Sequence, residues 1–332
     1  MDIIEREQAD EQELSKCLED SISKIFGRRS AITDLQRTPS DHSTSFASEI
    51  LDIMLDTGDQ LKIFLKDFGS SRLPKDELGQ RRNRELHVYR DLLDHRILGT
   101  AVYFGDIWDE REHRYWLLLE FVDGVILRYR EFDDWVRAAG WLGLMQEYFA
   151  QHTHQLNAFG FFVRHDASFF WSKAELALRS VPQISTDLAK RLGNILKNYD
   201  RLVDIMAGQP ATLVHGSFRP ENILVESTFE SVRICPIDWE LAAFGSPLYD
   251  FAFLSDGFPP NELDILWDAY RQQVTSSRIT IPEKDESKYL IDCFRLHKIV
   301  KSLSESVSWK FPESTVAKLI GMAEMISENI LL

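Results

Sequence analysis

The spacing of apolar residues along this 332-residue chain changes from helical to alternating near its start. Over residues 5–26 apolar side chains recur every three or four positions, which predicts a leading amphipathic helix. Over residues 51–55 they alternate with polar ones, and the alternation resumes at 61–65 after a Thr-Gly-Asp turn at 57–59. This pattern predicts a β-hairpin with one buried face, and therefore an antiparallel sheet early in the fold.

A charged helix is predicted after the hairpin, because leucines and Tyr89 repeat at helical spacing over residues 78–93. Two more strands are expected at 101–107 and 114–122, and Gly124 ends the second one. We therefore expect a first lobe at 1–122, with the leading helix, the antiparallel sheet and one helix packed on it.

The second lobe, 123–332, is predicted to be mainly helical. Helical periods cover 131–155, 172–180, 184–206, 247–256, 260–276, 285–306 and 313–330. Short strands are expected only at 212–216, 222–226 and 232–239. A β-rich lobe followed by a helical lobe predicts an α+β fold with two lobes.

Charge and composition exclude several classes of function. Hydrophobic residues make up 44% of the chain, which is enough for a sizeable core, and the formal net charge is −15. Such acidity argues against nucleic-acid and membrane partners and is compatible with a cationic or neutral ligand. No apolar run approaches the ~18 residues of a membrane span, and no secretion signal is recognisable. We expect a cytoplasmic protein whose three cysteines are reduced packing residues.

The segment LVHGSFRPENILV, residues 213–225, and the segment PIDWELAAFGSPLYDFA, residues 236–252, hold the candidate chemistry. Asn222 stands at the start of one predicted strand and Asp238 at the end of the next. If those strands form a hairpin, the two side chains lie close enough to share one Mg²⁺ ion, which prefers oxygen ligands. The alternative is that Asn222 caps a turn and Asp238 caps a helix.

A candidate phosphate-binding cation lies in the first lobe. Lys66 ends the aliphatic run of the second hairpin strand, and Glu85 lies on the helix that follows. Phosphoryl transfer uses a strand lysine held by a helix glutamate to bind nucleotide phosphates. The alternative is that both are ordinary surface charges.

The two motifs resemble those of the aminoglycoside phosphotransferase and choline kinase superfamily, which has a two-lobed protein kinase-like fold. Its loop has the pattern HGD, four residues, then Asn, and its metal segment has the pattern ID(W/F)E followed by G-P-x-x-D-L-A. The match runs, with gaps, from about residue 33 to 300. The resemblance implies transfer of phosphate from ATP or GTP, with Mg²⁺, to a hydroxyl of a small molecule such as an amino sugar or natural product, or of a peptide.

The resemblance also implies roles for the residues of the two motifs. His215 is a structural member of the catalytic loop, and Asn222 and Asp238 are the Mg²⁺ ligands. Asp250 is a buried acid that braces the loop. His154 corresponds to a packing residue of the family.

Nucleotide-binding roles follow from the same resemblance. Lys66 and Glu85 match the phosphate clamp. Glu120 and Val122, with Phe121 between them, correspond to the hinge where backbone groups receive the base. The segment RTPSDHSTSF, residues 37–46, corresponds to the nucleotide-covering loop between the family's first two strands, and it departs from the family because it offers Ser43 and Thr44 where glycines are usual.

Ser217 is the second departure, since the family has an aspartate there that accepts the proton of the acceptor hydroxyl. A neutral serine is far too weak a base, and losing a general base costs ~10²–10⁴-fold in rate. The lysine and metal contributions survive in a loose transition state. Two functions therefore stay open. One is a slow or atypical phosphotransferase, and the other is an inactive pseudokinase that binds nucleotide or peptide as a scaffold.

The sequence does not single out one set of residues for the acceptor site. The segment 157–173 is rich in aromatic residues, which either line an acceptor pocket or belong to the core. The residues concerned are Phe161, Phe162, Phe169, Phe170 and Trp171.

Overall fold

The chain folds as two compact units, Met1–Gly124 and Val125–Leu332. The first is β-rich and the second mostly helical, so the predicted α+β class is confirmed. Among the residues that the structure describes, no helix has both the length and the apolar character needed to cross a membrane. The computed structural model describes residues 3–41, 45–73, 75–152, 156, 158–275, 279 and 281–330, with the side chains of 3–9 and of Ser70 left out.

The first unit consists of a leading helix and an antiparallel five-stranded sheet. Its strands lie in the order β1-β2-β3-β5-β4. The predicted hairpin is confirmed, with Leu51 opposite Ile63 in the β2–β3 register. The elements are α1 (Ile3–Phe26), β1 (Ile32–Pro39), β2 (Phe46–Leu55), β3 (Gln60–Ser71), α2 (Leu78–His87) continued by a π-helical turn (Val88–Leu92), α3 (His95–Leu98), β4 (Tyr103–Asp109) and β5 (Arg114–Glu120).

Burial of one sheet face explains how these elements form. Leu14, Leu18 and Ile22 lie four residues apart on α1 and are fully buried. They pack in one cluster with alternate residues of the strands, including Ile53 and Ile63. The opposite face of β3 carries Lys62, Phe64 and Lys66, as the period of two requires.

The second unit is built mainly from helices, with two three-stranded sheets of short strands. Its elements are β6 (Val125–Ile126), α4 (Phe132–Gln151), β7 (Val163–Arg164), α5 (Ala167–Ser180), α6 (Thr186–Ile195), α7 (Tyr199–Ala207), β8 (Thr212–Val214), β9 (Ile223–Ser227), β10 (Val232–Pro236), β11 (Ala243–Gly245), α8 (Pro247–Leu254), α9 (Pro260–Gln273), α10 (Lys284–Ser304) and α11 (Glu313–Ile330). Strands β10, β9 and β6 form one sheet, and β7, β11 and β8 form another. The helix predicted at 184–206 is two helices, separated by a 3₁₀ turn at Leu196–Asn198.

The aromatic segment contributes to the core through Phe170. Its ring is fully buried and lies 4.7 Å from the ring of His297 and 6.3 Å from that of Phe294. Asp166 caps the start of α5, since its carboxylate accepts a hydrogen bond from the Phe169 N–H at 2.9 Å. The core interpretation therefore holds for Phe170.

The three cysteines are free thiols, as expected from their spacing. Cys235 and Cys293 are buried, and burial raises the pKa of the Cys293 thiol to about 12. Cys17 is partly buried on α1, and burial also raises the pKa of its thiol. All three are therefore protonated packing residues near neutral pH.

Candidate active site

The β9–β10 hairpin brings the two predicted metal ligands to one end. Ile223 lies opposite Pro236, and the Ile237 N–H donates to the Asn222 carbonyl at 2.9 Å. Residues 222 and 237 are thus direct partners, so the Cα atoms of Asn222 and Asp238 are within about 9 Å of each other. The hairpin that the motif spacing required is present.

Asn222 stabilises the loop through the nitrogen of its side-chain amide. Its Nδ2 donates to the Ser217 carbonyl at 3.0 Å and lies 3.4 Å from the Ser217 Oγ. The Ser217 carbonyl oxygen can only accept a hydrogen bond, so the Asn222 atom that contacts it is the amide nitrogen with its two N–H groups. Among the described residues Oδ1 makes no hydrogen bond. Asn222 therefore closes a turn, as the alternative interpretation held, and still has an oxygen available for a cation.

Asp238 has a strained backbone. Its φ of 65° and ψ of 61° lie in the left-handed region, which few residues other than glycine adopt. It precedes the 3₁₀ turn Trp239–Leu241, yet its side chain makes no capping hydrogen bond to that turn. Capping therefore does not explain this residue. Non-glycine residues in this conformation cost about 1–3 kcal/mol and are concentrated at functional sites.

His215 is a buried residue that stabilises the loop through its side chain. Its Nε2–H donates to the Ile237 carbonyl at 2.9 Å, and its Nδ1 accepts from the Ser217 N–H at 3.3 Å. The ring packs against that of Trp239, with centroids 4.5 Å apart. Burial lowers the pKa of His215 to about 4, so the imidazole is neutral at pH 7. It holds the loop against the end of β10 and carries no proton for catalysis at that pH.

Gly216 occupies a position that only glycine fits. Its φ is +76°, and a Cβ placed there would lie 2.0 Å from the Leu241 carbonyl oxygen. A side chain at this position would force the loop away from the 3₁₀ turn that follows Asp238. The His-Gly pair of the motif is therefore explained by packing.

Asp250 braces the loop from the first turn of α8. Its carboxylate accepts hydrogen bonds from the His215 N–H at 2.6 Å and the Gly216 N–H at 3.0 Å. The side chain is completely buried, and burial raises its pKa to about 7 although the two N–H groups favour the charged form. The predicted bracing is confirmed.

Ser217 is fixed on both sides by main-chain contacts. Its N–H donates to His215, and its carbonyl accepts from the Arg219 N–H at 2.8 Å and from Asn222. The residue is 8% exposed. Phe218 anchors the next position, with its ring stacked on Trp141 at 5.8 Å. The shorter hydrogen bonds that hold this residue in the loop therefore use its main-chain atoms.

The first unit contains a buried ion pair at the predicted phosphate clamp. The Lys66 Nζ lies 2.9 and 2.8 Å from the two carboxylate oxygens of Glu85. The two residues are 6% and 1% exposed, so the interpretation as ordinary surface charges is wrong. The ammonium also lies 5.4 Å from the Phe46 ring and 5.0 Å from the Phe68 ring. The cation is held in one position by charge and by aromatic faces.

The predicted hinge follows the end of β5. Glu120 is tied to Val102, whose carbonyl accepts the Glu120 N–H at 2.8 Å and whose N–H donates to the Glu120 carboxylate at 3.0 Å. The Val122 carbonyl accepts from the Gly124 N–H at 2.9 Å. Among the described residues the Val122 N–H has no partner, which leaves it free to bind a base. Ser43, Thr44 and His154 lie outside the described residues.

Trp239 and Arg219 are neighbours of the site to which the sequence analysis gave no role. Trp239 is fully buried and supports His215. Arg219 lies two residues after Ser217, and its position inside the motif could have identified it from the sequence as a neighbour of the site.

Residues 54–279 match the model of the phosphotransferase enzyme family, APH. This is more than half of the chain, and the protein belongs to that family. The predicted superfamily is thereby confirmed, and with it the class of small-molecule phosphotransferases. No match is found among curated protein sequences.

Several solved structures are similar to this chain in fold. The complex of APH(2″)-IIIa with GDP and kanamycin has a TM-score of 0.60 and 16% identity, covering 93% of this chain and 98% of that one. A choline kinase from Cryptosporidium parvum has a TM-score of 0.61 and 13% identity, covering 90% of each chain. A microcompartment-associated aminopropanol kinase has a TM-score of 0.55 and 15% identity, covering 89% and 90%. At these identities the likeness shows the protein kinase-like fold.

Proposed function

We propose that this protein transfers the γ-phosphoryl group of ATP or GTP, with Mg²⁺, to a hydroxyl of a small molecule, and that it does so slowly. The observation that carries the proposal is the β9–β10 hairpin, which brings Asn222 and Asp238 to one end with the Asn222 Oδ1 available. Family membership supports the reaction class.

The donor set fits Mg²⁺. Asn222 offers an amide oxygen and Asp238 a carboxylate, and Mg²⁺ in phosphoryl-transfer sites takes one or two protein oxygens together with phosphates and water. When bound, the ion would neutralise charge on the phosphate oxygens. Asp238 is held ready by its left-handed backbone, and Asn222 by its hydrogen bond to Ser217.

Residues of the first unit supply nucleotide binding in this proposal. Lys66, fixed by both oxygens of Glu85, provides a cation for the phosphates. The Val122 N–H provides a donor for the base. A bound guanine nucleotide is present in the APH(2″)-IIIa complex, which supports ATP or GTP as the donor here.

The chemical step forms a bond between the acceptor oxygen and the γ-phosphorus, while the bond from that phosphorus to the β,γ-bridging oxygen breaks. The nucleoside diphosphate leaves with the electron pair of the broken bond. The acceptor hydroxyl loses its proton to water, because the Ser217 hydroxyl is too weak a base to take it. A loose transition state makes this route possible but slow.

The second candidate function is a pseudokinase that binds nucleotide without turnover and serves as a scaffold. Ser217 is the observation that favours it. The two candidates share nucleotide binding and differ in turnover, so a rate measurement separates them.

The decisive experiment compares nucleotide consumption by wild type, Ser217→Asp and Asp238→Ala with small-alcohol acceptors. We expect Ser217→Asp to raise the rate by at least tenfold, since a general base contributes ~10²–10⁴-fold. We expect Asp238→Ala to remove both turnover and its Mg²⁺ dependence. Ser308→Asp, at an exposed position of the same unit, is the matched control and should leave the rate unchanged.

Two results would contradict this proposal. If wild type is as fast as Ser217→Asp, the role given to position 217 is wrong. If neither protein consumes nucleotide with any acceptor, while both bind nucleotide with Mg²⁺, the scaffold function is correct instead.

A further inference from the structure

Arg219 has a cationic side chain without an acidic partner. Its guanidinium lies over the ring of Phe253, with the Cζ atom 5.5 Å from the ring centroid. Its Nε is buried and makes no hydrogen bond among the described residues, and no carboxylate of those residues pairs with it. The residue as a whole is partly exposed, so its charge is open to solvent and no described carboxylate neutralises it.

A second cation shares the same aromatic ring. The Nζ of Lys298, on α10, lies 5.0 Å from the Phe253 centroid. It pairs with Asp256 at 2.7 Å, so its charge is already balanced. Arg295, one turn earlier on α10, is likewise balanced by Asp292 at 3.1 Å and donates to the Ser255 carbonyl at 2.6 Å. Among these three cations around the end of α8, Arg219 is the surplus positive charge.

Arg82 shares this pattern, since its Nε is also buried without a hydrogen bond among the described residues and its guanidinium lies over the ring of Tyr115. What distinguishes Arg219 is its place in the candidate catalytic loop of a chain whose net charge is −15. A cation at that position that no described carboxylate balances is available to an anionic ligand.

Arg219 also lies close to the reacting position. Only Phe218 separates it from Ser217 in the loop, and the Arg219 N–H donates to the Ser217 carbonyl at 2.8 Å. The two Cα atoms are therefore at most about 7 Å apart. A molecule whose hydroxyl faces Ser217 could place an anionic group a few bonds away against the guanidinium.

We propose that Arg219 binds an anionic group of the acceptor, a carboxylate or a phosphate, so that the substrate class is small hydroxylated anions. This inference rests on the proposed phosphotransferase function. A planar guanidinium suits both anions because it can donate two parallel hydrogen bonds. An amino sugar or quaternary amine would instead be repelled by the unpaired charge. The net acidity of the chain therefore does not set the charge of the acceptor.

The test uses four pools of small alcohols offered separately with ATP and Mg²⁺. The pools contain hydroxy acids, sugar phosphates, neutral polyols and sugars, and amino alcohols with amino sugars. Ser217→Asp is used beside wild type so that slow turnover is detectable. We expect nucleotide consumption with the hydroxy acids or the sugar phosphates, and the responding pool identifies the anion as carboxylate or phosphate.

Variants then assign the effect to Arg219. With the accepted compound, Arg219→Gln should raise KM at least tenfold with little change in kcat, because it removes charge-assisted hydrogen bonds to the bound anion. Arg219→Lys keeps the charge and should recover part of the affinity. Arg179→Gln, at an exposed arginine on α5, is the matched control and should have no effect. Melting temperature and nucleotide binding of each variant establish that it is folded.

The outcomes separate the two proposals. Consumption with only the neutral or amine pools would overturn the anionic acceptor and leave the phosphotransferase standing. An unchanged KM in both Arg219 variants would likewise overturn the role of this residue. No consumption with any pool would instead overturn the phosphotransferase itself, and the acceptor assignment with it.

Discussion

Glu85 in the first unit and Asp250 in the second are almost completely buried carboxylates, and they are stabilised in different ways. In the first unit Glu85 contacts an ammonium group with both oxygens. In the second unit Asp250 receives two main-chain N–H groups, from His215 and Gly216. A full positive charge offsets the desolvation of the first carboxylate, whereas dipoles only partly offset that of the second. The pKa of Asp250 is accordingly raised to about 7.

The two carboxylates position different parts of the protein. Glu85 fixes the charged end of one flexible side chain, Lys66. Asp250 fixes the backbone of a loop and has no side-chain partner in that role. The first arrangement should therefore be sensitive to loss of charge, and the second to loss of hydrogen-bond acceptors and to pH.

The largest effect is expected from Glu85→Ala. This change removes both carboxylate oxygens from a buried ammonium group, and breaking a buried ion pair costs about 3–5 kcal/mol. Urea unfolding of the full chain measures the loss in free energy of unfolding.

The double variant Lys66→Met with Glu85→Leu sharpens this prediction. Apolar residues of similar size often replace a buried ion pair at little cost, so the double variant should be more stable than Glu85→Ala. It should also lose nucleotide affinity. A double variant as unstable as Glu85→Ala would show that the pair itself contributes net stability.

Asp250→Ala is expected to cost somewhat less, about 2–4 kcal/mol. It leaves the His215 and Gly216 N–H groups buried without an acceptor, and each such group costs about 1–3 kcal/mol. Asp250→Asn keeps one acceptor and should lose roughly half as much. Urea unfolding of both variants measures the difference, and equal losses would contradict the proposed count of two hydrogen bonds.

The smallest effect is the pH dependence that Asp250 contributes. Its folded pKa, about 7, is above its ordinary value of 3.8, so the folded state binds the additional proton between these values. Its contribution to stability is therefore complete below about pH 4 and is lost as the pH rises through 7. Between pH 5 and pH 7 this loss amounts to about 2 kcal/mol.

The control for this pH effect is Asp250→Asn, which has no titrating group at that position. Unfolding free energies of wild type and variant, measured from pH 5 to 8, should differ in slope. Parallel curves would show that Asp250 does not titrate in this range.

Much of the fold could be predicted because periodic burial shapes it. Alternation in β2 and β3, and the four-residue spacing on α1, are direct results of packing on one sheet face. Strands β6, β7 and β11 were missed, since two or three residues carry no period and pair only with distant segments. The break at Leu196–Asn198 was missed because the apolar spacing continues through it.

The site was predictable where spacing along the chain determines contact. Asn222 and Asp238 lie at the same end of a local hairpin, so their separation in sequence indicated their proximity. The left-handed backbone of Asp238 has no signature in composition, because it depends on the packing of the turn after it. Likewise, that no described carboxylate pairs with Arg219 could be recognised only when its neighbours were known.

The close approach of Gly216 to the Leu241 carbonyl has a consequence for residue 217. The turn at 215–217 is held in shape by atoms that every amino acid at 217 would share. A change between serine and aspartate at 217 can therefore leave the main-chain hydrogen bonds of the loop as they are.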